Sequence, residues 1–240
     1  MEEILLEVDS QYIAARLFEP TLPNGHGIFF IHGWRSRQDS PRGYAESLTT
    51  EGFTCLTFDL RGMGESDGDI QLLSRRDYLD DCLTAYDTLA STPGVTEMSV
   101  VGSSFGAYMA CIVTAYRNVF SLVLRVPANY PNEDFDKPQV RHSDALDAER
   151  WRTQERQHSD SYSLAALHRY PGKVLIVESE KDEIVHHSTV ESFMRSVPNK
   201  IDVTHVIMRD APHSLGTDNL KQQYDGILRN WFTGQCAVAK

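Results

Sequence analysis

The segment Met98-Ser99-Val100-Val101-Gly102-Ser103-Ser104-Phe105-Gly106-Ala107 passes from a short apolar run, through a turn bracketed by glycines, into a small-residue helix expected over 105–116. A Gly-x-Ser-x-Gly pattern at such a junction is the setting in which a serine is presented at the end of a sheet. A strand that turns directly into a helix forces its central residue into strained backbone angles. Glycines on either side remove Cβ atoms that would collide with the neighbouring strand and helix. Ser104 is thereby the candidate nucleophile. Centring the motif on Ser103 would put Val101 and Phe105 at the flanks, and neither lacks a side chain.

Outward from this turn, short apolar runs bounded by Gly, Pro and Asp alternate with segments of helical period, the signature of an α/β chain. Runs at 4–8 and 12–18, separated by Asp9-Ser10-Gln11, can pair as a hairpin. Gly27-Ile28-Phe29-Phe30-Ile31-His32 is apolar on both faces, as a central parallel strand must be. A helix over 41–51 leads to a strand over 53–59, and Ser74 with Asp77 can cap a helix reaching Ala90. Strands follow at 121–126, 173–177 and 203–208, with helices at 188–196 and 220–232. The expected architecture is an eight-stranded, mostly parallel sheet flanked by helices.

Residues 128–170 break the alternation: they carry many charges and no run of strand character, yet contain Tyr130, Phe135, Trp151, Tyr162 and Tyr170. They read as an inserted lid lying on a core made of 1–127 and 171–240, with helices expected at 142–158 and 161–168.

A serine hydroxyl is a weak nucleophile until a base takes its proton, and that base needs a carboxylate to orient it. Of nine histidines, His213 in Asp210-Ala211-Pro212-His213-Ser214 follows the 203–208 strand, which puts it at the same carboxyl edge as Ser104. His32 also ends a strand, but its pairing with Gly33 suits an imidazole that fixes a loop. His142, His158, His168, His186 and His187 fall in expected helices or their caps, and His26 and His205 lack a strand-end position. Asp182, just past the 173–177 strand, is the candidate acid, with Glu180 and Glu183 as neighbouring rivals and Asp210 as a weaker one. The order Ser104, Asp182, His213 runs nucleophile, acid, base, which favours Asp182. A tetrahedral intermediate also needs backbone donors aimed at its developing oxyanion. The amide of Phe105, at the helix start, is one expected donor. The amide of Trp34, after the His32-Gly33 turn, is the other.

Composition limits the partners. Lys plus Arg total 23 against 34 Asp plus Glu, a net charge of −11 that repels nucleic-acid backbones and anionic lipid surfaces and favours small-molecule partners. Cys55, Cys82, Cys111 and Cys236 are too widely spaced for a disulfide scaffold or a zinc site and read as reduced thiols. The acidic start Met1-Glu2-Glu3 is unlike a signal peptide, and no apolar run reaches the roughly 18 residues of a membrane span, so a cytoplasmic protein is expected. Gly62-Met63-Gly64 follows a strand, but position 67 is Asp, so a dinucleotide loop is not expected. Adjacent His186 and His187 point in different directions on a helix, and no metal is implied.

Together, His32-Gly33-Trp34, the Asp59-to-Ser66 turn, the Gly102-to-Gly106 elbow, Asp182-Glu183-Ile184-Val185 and His213 resemble a serine α/β-hydrolase. Within that fold they look most like the cytoplasmic cinnamoyl and feruloyl esterases of bacteria and their carboxylesterase relatives. The resemblance covers nearly the whole chain outside 128–170, and it implies an α/β-hydrolase fold and an insert that shapes the acyl pocket. The expected reaction is hydrolysis of a carboxylic ester, with a small or aromatic acyl group, through an acyl-enzyme and without a cofactor. Thioester or peptide cleavage by the same triad is the alternative, and a non-catalytic ligand sensor is a third possibility.

Overall fold

A computed structural model describes residues 1–140, 151, 153–198 and 203–234. Its strands are β1 (Glu2–Val8), β2 (Gln11–Phe18), β3 (His26–Ile31), β4 (Thr54–Phe58), β5 (Glu97–Ser103), β6 (Ser121–Arg125), β7 (Lys173–Lys181) and β8 (Val203–Pro212). The helices are α1 (Asp39–Thr50), α2 (Arg75–Ala90), α3 (Phe105–Val113), α4 (Tyr162–Arg169), α5 (His187–Ser196) and α6 (Asp218–Phe232). One sheet holds all eight strands in the order β1-β2-β4-β3-β5-β6-β7-β8. β2 is antiparallel to both β1 and β4, and every later pairing is parallel. The β1–β2 hairpin turns on Asp9 and Ser10, both at positive φ (50° and 63°), the mirror-image turn whose twist matches paired strands.

Continuous apolar strands are required because helices cover both faces. Phe29 and Ile31 of β3 pack with Tyr78 and Leu79 of α2, the buried residues of α3 and Phe193 of α5. Their neighbours Ile28 and Phe30 point the other way, to Ala45 and Leu48 of α1 and Tyr224 and Leu228 of α6. The same alternation recurs in β6 and β7, where Leu122, Leu124, Val174 and Ile176 face one layer and Val123, Leu175 and Val177 the other. Every residue of α3 is buried, which explains its run of Ala, Gly and Cys among larger side chains. The α2 start is capped as its sequence suggested: the Ser74 hydroxyl accepts from the Asp77 amide and the Asp77 carboxylate accepts from the Ser74 amide.

Two strands run further than the apolar pattern indicated. β7 ends at Lys181 rather than 177 and β8 at Pro212 rather than 208, the two staying paired across a register shift between Ser179 and Lys181. The added residues are mostly polar, so hydrophobic periodicity fades while the hydrogen-bond ladder continues. The consequence is that Asp182 and His213 each sit directly at a strand end.

The interval read as a lid contributes to the main core. Ala128, Tyr130, Phe135, Leu164, Leu167 and Tyr170 belong to the same apolar cluster as α2 and α3. Its opening loop is held by Arg75 at the start of α2, which is fully buried and donates to the carbonyls of Pro131 and Glu133 at 2.7 Å each. The expected 161–168 helix is α4, Tyr162–Arg169. Residues 142–150 and 152 of the expected 142–158 helix, His142 among them, lie outside the described residues, and 153–158 form turn and irregular backbone.

Candidate active site

The turn after β5 has the strain expected of it. Ser104 adopts φ 54°, ψ −116°, a left-handed conformation costly for a residue with a side chain. Both glycines are sterically compelled: a Cβ on Gly102 would lie 2.4 Å from the Gly106 carbonyl oxygen, and one on Gly106 2.1 Å from that of Ile31. Tight contact between α3 and β3 therefore fixes where the serine emerges.

His213 and Asp182 converge on it. The His213 Nε2 lies 3.1 Å from Ser104 Oγ, and its Nδ1 lies 2.9 Å from each Asp182 oxygen. This geometry suits the tautomer in which Nδ1–H donates to the carboxylate and Nε2 accepts from the hydroxyl. Asp182 also accepts from the amides of Ile184 and Val185, both at 2.8 Å. Desolvation pushes this carboxyl upward, but His213 and the two amides outweigh it and hold it below its ordinary value. It stays ionised near neutrality.

The rival acids are engaged elsewhere. Asp210 pairs with Lys181 at 2.5 Å on the surface, Glu180 accepts from Arg209 and the Asp210 amide, and Glu183 accepts from the His213 backbone amide. Among the other histidines, His187 and His205 both bond Glu178, His26 bonds Ser99, and His158 stacks on His168. His32 is buried; it accepts from the Leu60 amide on Nε2 at 3.1 Å, which leaves Nδ1–H to donate to the Gly33 carbonyl at 2.8 Å. Burial lowers its pKa, consistent with a neutral ring that ties the β3 loop to the β4 loop.

That β3 loop runs against Ser104. A Cβ on Gly33 would stand 3.5 Å from Ser104 Cβ, so the backbone leading to Trp34 passes beside that serine. Phe105 begins α3, where first-turn amides have no acceptor within the helix. The Trp34 indole packs edge-on against Tyr78 and Phe105, fixing the loop from behind. Next to it, the Asp59 carboxylate accepts from the amides of Gln38 and Glu65, at 2.6 Å and 3.0 Å, and so binds two loops together.

A cavity of about 980 Å³ opens above Ser104 and His213 and extends between α1 and α6. Its walls include Trp34, Tyr44, Arg125, Tyr130 and Tyr224. Arg125 escapes the sequence reading: a lone cation closing the apolar run of β6 marks a strand end, but nothing local says that it is buried. Among the described residues, no group of three or more His, Cys, Asp or Glu side chains is placed to hold a metal ion, and no helix is long and apolar enough to cross a membrane.

A mostly parallel sheet that lifts a serine on a strained elbow toward a histidine and a carboxylate from later strand ends is an α/β-hydrolase. Residues 24–163 match the family model described as serine aminopeptidase, S33, and the chain belongs to that family. Similar structures include ferulic acid-bound Est1E from Butyrivibrio proteoclasticus, with TM-score 0.75 and 18% identity over 98% of this chain and 99% of that one. An alpha-beta serine hydrolase homologue from Coxiella burnetii gives TM-score 0.71 and 19% identity, covering 95% of this chain and 96% of that one. In sequence, the human mitochondrial palmitoyl-protein thioesterase ABHD10 is 32% identical over 104 residues, 39% of this chain and 33% of that protein. An acyl transferase of Photobacterium phosphoreum is 32% identical over 100 residues, 41% of this chain and 33% of its own. The matches thus span about a third of the length of these curated relatives.

Proposed function

We propose that this protein is a serine hydrolase that cleaves a carboxylic ester of a small molecule through an acyl-enzyme. The observation that carries the reading is the chain of bonds Ser104 Oγ to His213 Nε2 at 3.1 Å and His213 Nδ1 to Asp182 at 2.9 Å. His213 takes the hydroxyl proton as Ser104 Oγ attacks the ester carbonyl, forming the new C–O bond and an oxyanion. The amides of Trp34 and Phe105 receive that oxyanion. Collapse breaks the bond to the alcohol oxygen, and the imidazolium returns its proton to the departing alcohol. Asp182 stabilises the imidazolium throughout without taking the proton. Water then attacks the acyl group by the same route and releases the acid. The chemistry calls for no cofactor.

Thioester cleavage is the second reading, favoured by the identity to a palmitoyl-protein thioesterase. The family's description as aminopeptidases keeps amide cleavage as a third. Turnover of a short p-nitrophenyl ester, an acyl thioester and an aminoacyl anilide ranks them, with the ester expected fastest. Labelling by a fluorophosphonate probe is expected in the native protein and lost in Ser104→Ala. A native protein that resists the probe would point instead to a ligand sensor.

A further inference from the structure

The limb of the cavity between α1 and α6 contains a buried cation that makes no ion pair among the described residues; the Asp182 carboxylate acts on it only through space and is itself bonded to His213. Arg125 closes β6 on the face shared by those helices and is 6% exposed, yet it lines the cavity. Its guanidinium donates to neutral acceptors: the His213 carbonyl at 2.7 Å, Ser103 Oγ at 3.3 Å and Ser179 Oγ at 3.4 Å. Among the described residues its Nε is buried without a partner, and the ring of Tyr224 lies 5.6 Å from its central carbon. Of the acidic residues on the same cavity wall, Asp39 pairs with Arg16 and Arg37, while Asp225 accepts from the Ser47 hydroxyl on one oxygen and its other oxygen is buried without a partner among the described residues; neither is in ion-pair contact with Arg125. The Tyr224 hydroxyl is likewise buried with no partner among the described residues, and Tyr224 belongs to the same lining.

Burying a charge without a counter-ion is expensive, and in a chain with net charge −11 there is no shortage of carboxylates that could have been placed here. A cation left unpaired on the wall of a substrate cavity is a site for an anionic group on the substrate, and a guanidinium matches a carboxylate best. We infer that the substrate is an ester bearing a carboxylate near its scissile bond, and that Arg125 selects it. Because Arg125 bonds the backbone of His213 and the side chain of Ser103, that carboxylate stands a few bonds from the carbonyl that Ser104 attacks. Binding it neutralises Arg125 in a low-dielectric site, so the charged ester gains over its neutral analogue at the same shape.

This inference rests on the hydrolase reading, so the test separates the two. Two matched ester pairs are compared: methyl hydrogen succinate against methyl butyrate, with the charge on the acyl side, and O-butyrylglycolate against propyl butyrate, with the charge on the alcohol side. The native protein is expected to favour the charged member of at least one pair by tenfold or more in kcat/KM, and the pair that responds identifies the side. Arg125→Met is expected to bring that ratio close to one, and Arg125→Lys to retain part of it. Equal loss on charged and neutral esters would overturn the proposal, leaving Arg125 as a strut for the His213 loop. In the native protein, no preference for the charged member of either pair would also overturn it, and that reading needs no variant. Calorimetry of the four esters on Ser104→Ala measures binding without chemistry. Preference there with no turnover in the native protein would retain the anion site and reject the hydrolase; turnover with no preference would do the reverse.

Discussion

At the scale of single residues, position and strain count for more than residue type. Ser103 and Ser104 differ by one place, but the left-handed backbone at Ser104, φ 54°, turns that hydroxyl toward His213 while Ser103 meets Arg125. Asp182 and Asp210 are both acids close to His213 in the sheet, yet Asp210 faces solvent and Lys181. Asp182→Asn is expected to lower kcat by about 10³- to 10⁴-fold, since the imidazole loses its orienting acceptor. Asp210→Asn should alter it less than about twofold, as an exposed ion pair contributes little. Steady-state kinetics on the two variants decides between them, and a larger loss in Asp210→Asn would reassign the acid. Gly106→Ala would drive a methyl into the Ile31 carbonyl, 2.1 Å away, and neither backbone has room to retreat. A loss of about 3 kcal/mol is expected in urea unfolding; an unchanged midpoint would mean that the α3–β3 contact is looser than this geometry.

At the scale of elements, the helices position the site by what they anchor. The Arg75 side chain, at the first position of α2, reaches the carbonyls of Pro131 and Glu133 and lies 5.6 Å from the Tyr130 ring. Tyr130 in turn packs against Phe105 and Tyr108 of α3, so the loop after β6 is tied to the helix that begins beside Ser104. Arg75→Ala is expected to cost about 3 kcal/mol, through two lost charge-assisted bonds and the carbonyls left unpaired. Its neighbour Arg76 pairs with Asp136 at the surface, both groups about half exposed or more, and Arg76→Ala should cost under about 1 kcal/mol. Denaturant midpoints of the two variants measure the contrast, and equal costs would show that the buried clamp adds nothing beyond a surface pair.

At the scale of the whole molecule, the late strands bring ionisable side chains together from distant parts of the chain. Glu178 of β7 receives His205 of β8 at 2.9 Å and His187 of α5 at 2.6 Å. Burial pushes Glu178 upward, but its two imidazole partners overcome this and hold it below its ordinary value. The bond to Glu178 raises His187. The lowered carboxyl stabilises the fold above its unfolded pKa, about 4.3, and that contribution disappears as pH falls through the folded value. The raised imidazole stabilises below its unfolded pKa, about 6.5, and that contribution disappears as pH rises through the folded value. The pair is therefore worth most between those limits. The Tm difference between native protein and His187→Ala should be largest near pH 5.5 and smaller at pH 8.5 and at pH 3; a difference that is flat across this range would rule the linkage out. Because His187 is largely exposed, the effect should also weaken in high salt.

Read alone, the sequence determined what depends on neighbours along the chain: the Gly102-to-Gly106 elbow, the Ser74 and Asp77 cap, and the doubly apolar strand at Phe29 and Phe30. These are legible because turn sterics, capping and side-chain period act over a few residues. It also marked Ser104, Asp182 and His213 as candidates, since each follows an apolar run at the same edge of an α/β sheet. Only the tertiary structure decided which acid meets which base, because Asp182 and Asp210 differ in where the extended β7–β8 ladder points them and not in local pattern. The burial of Arg125 in the cavity limb was beyond local reading for the same reason. A cation at a strand end looks the same in sequence whether it faces water or lies between α1 and α6, and the cost of its burial arises only when distant segments close over it.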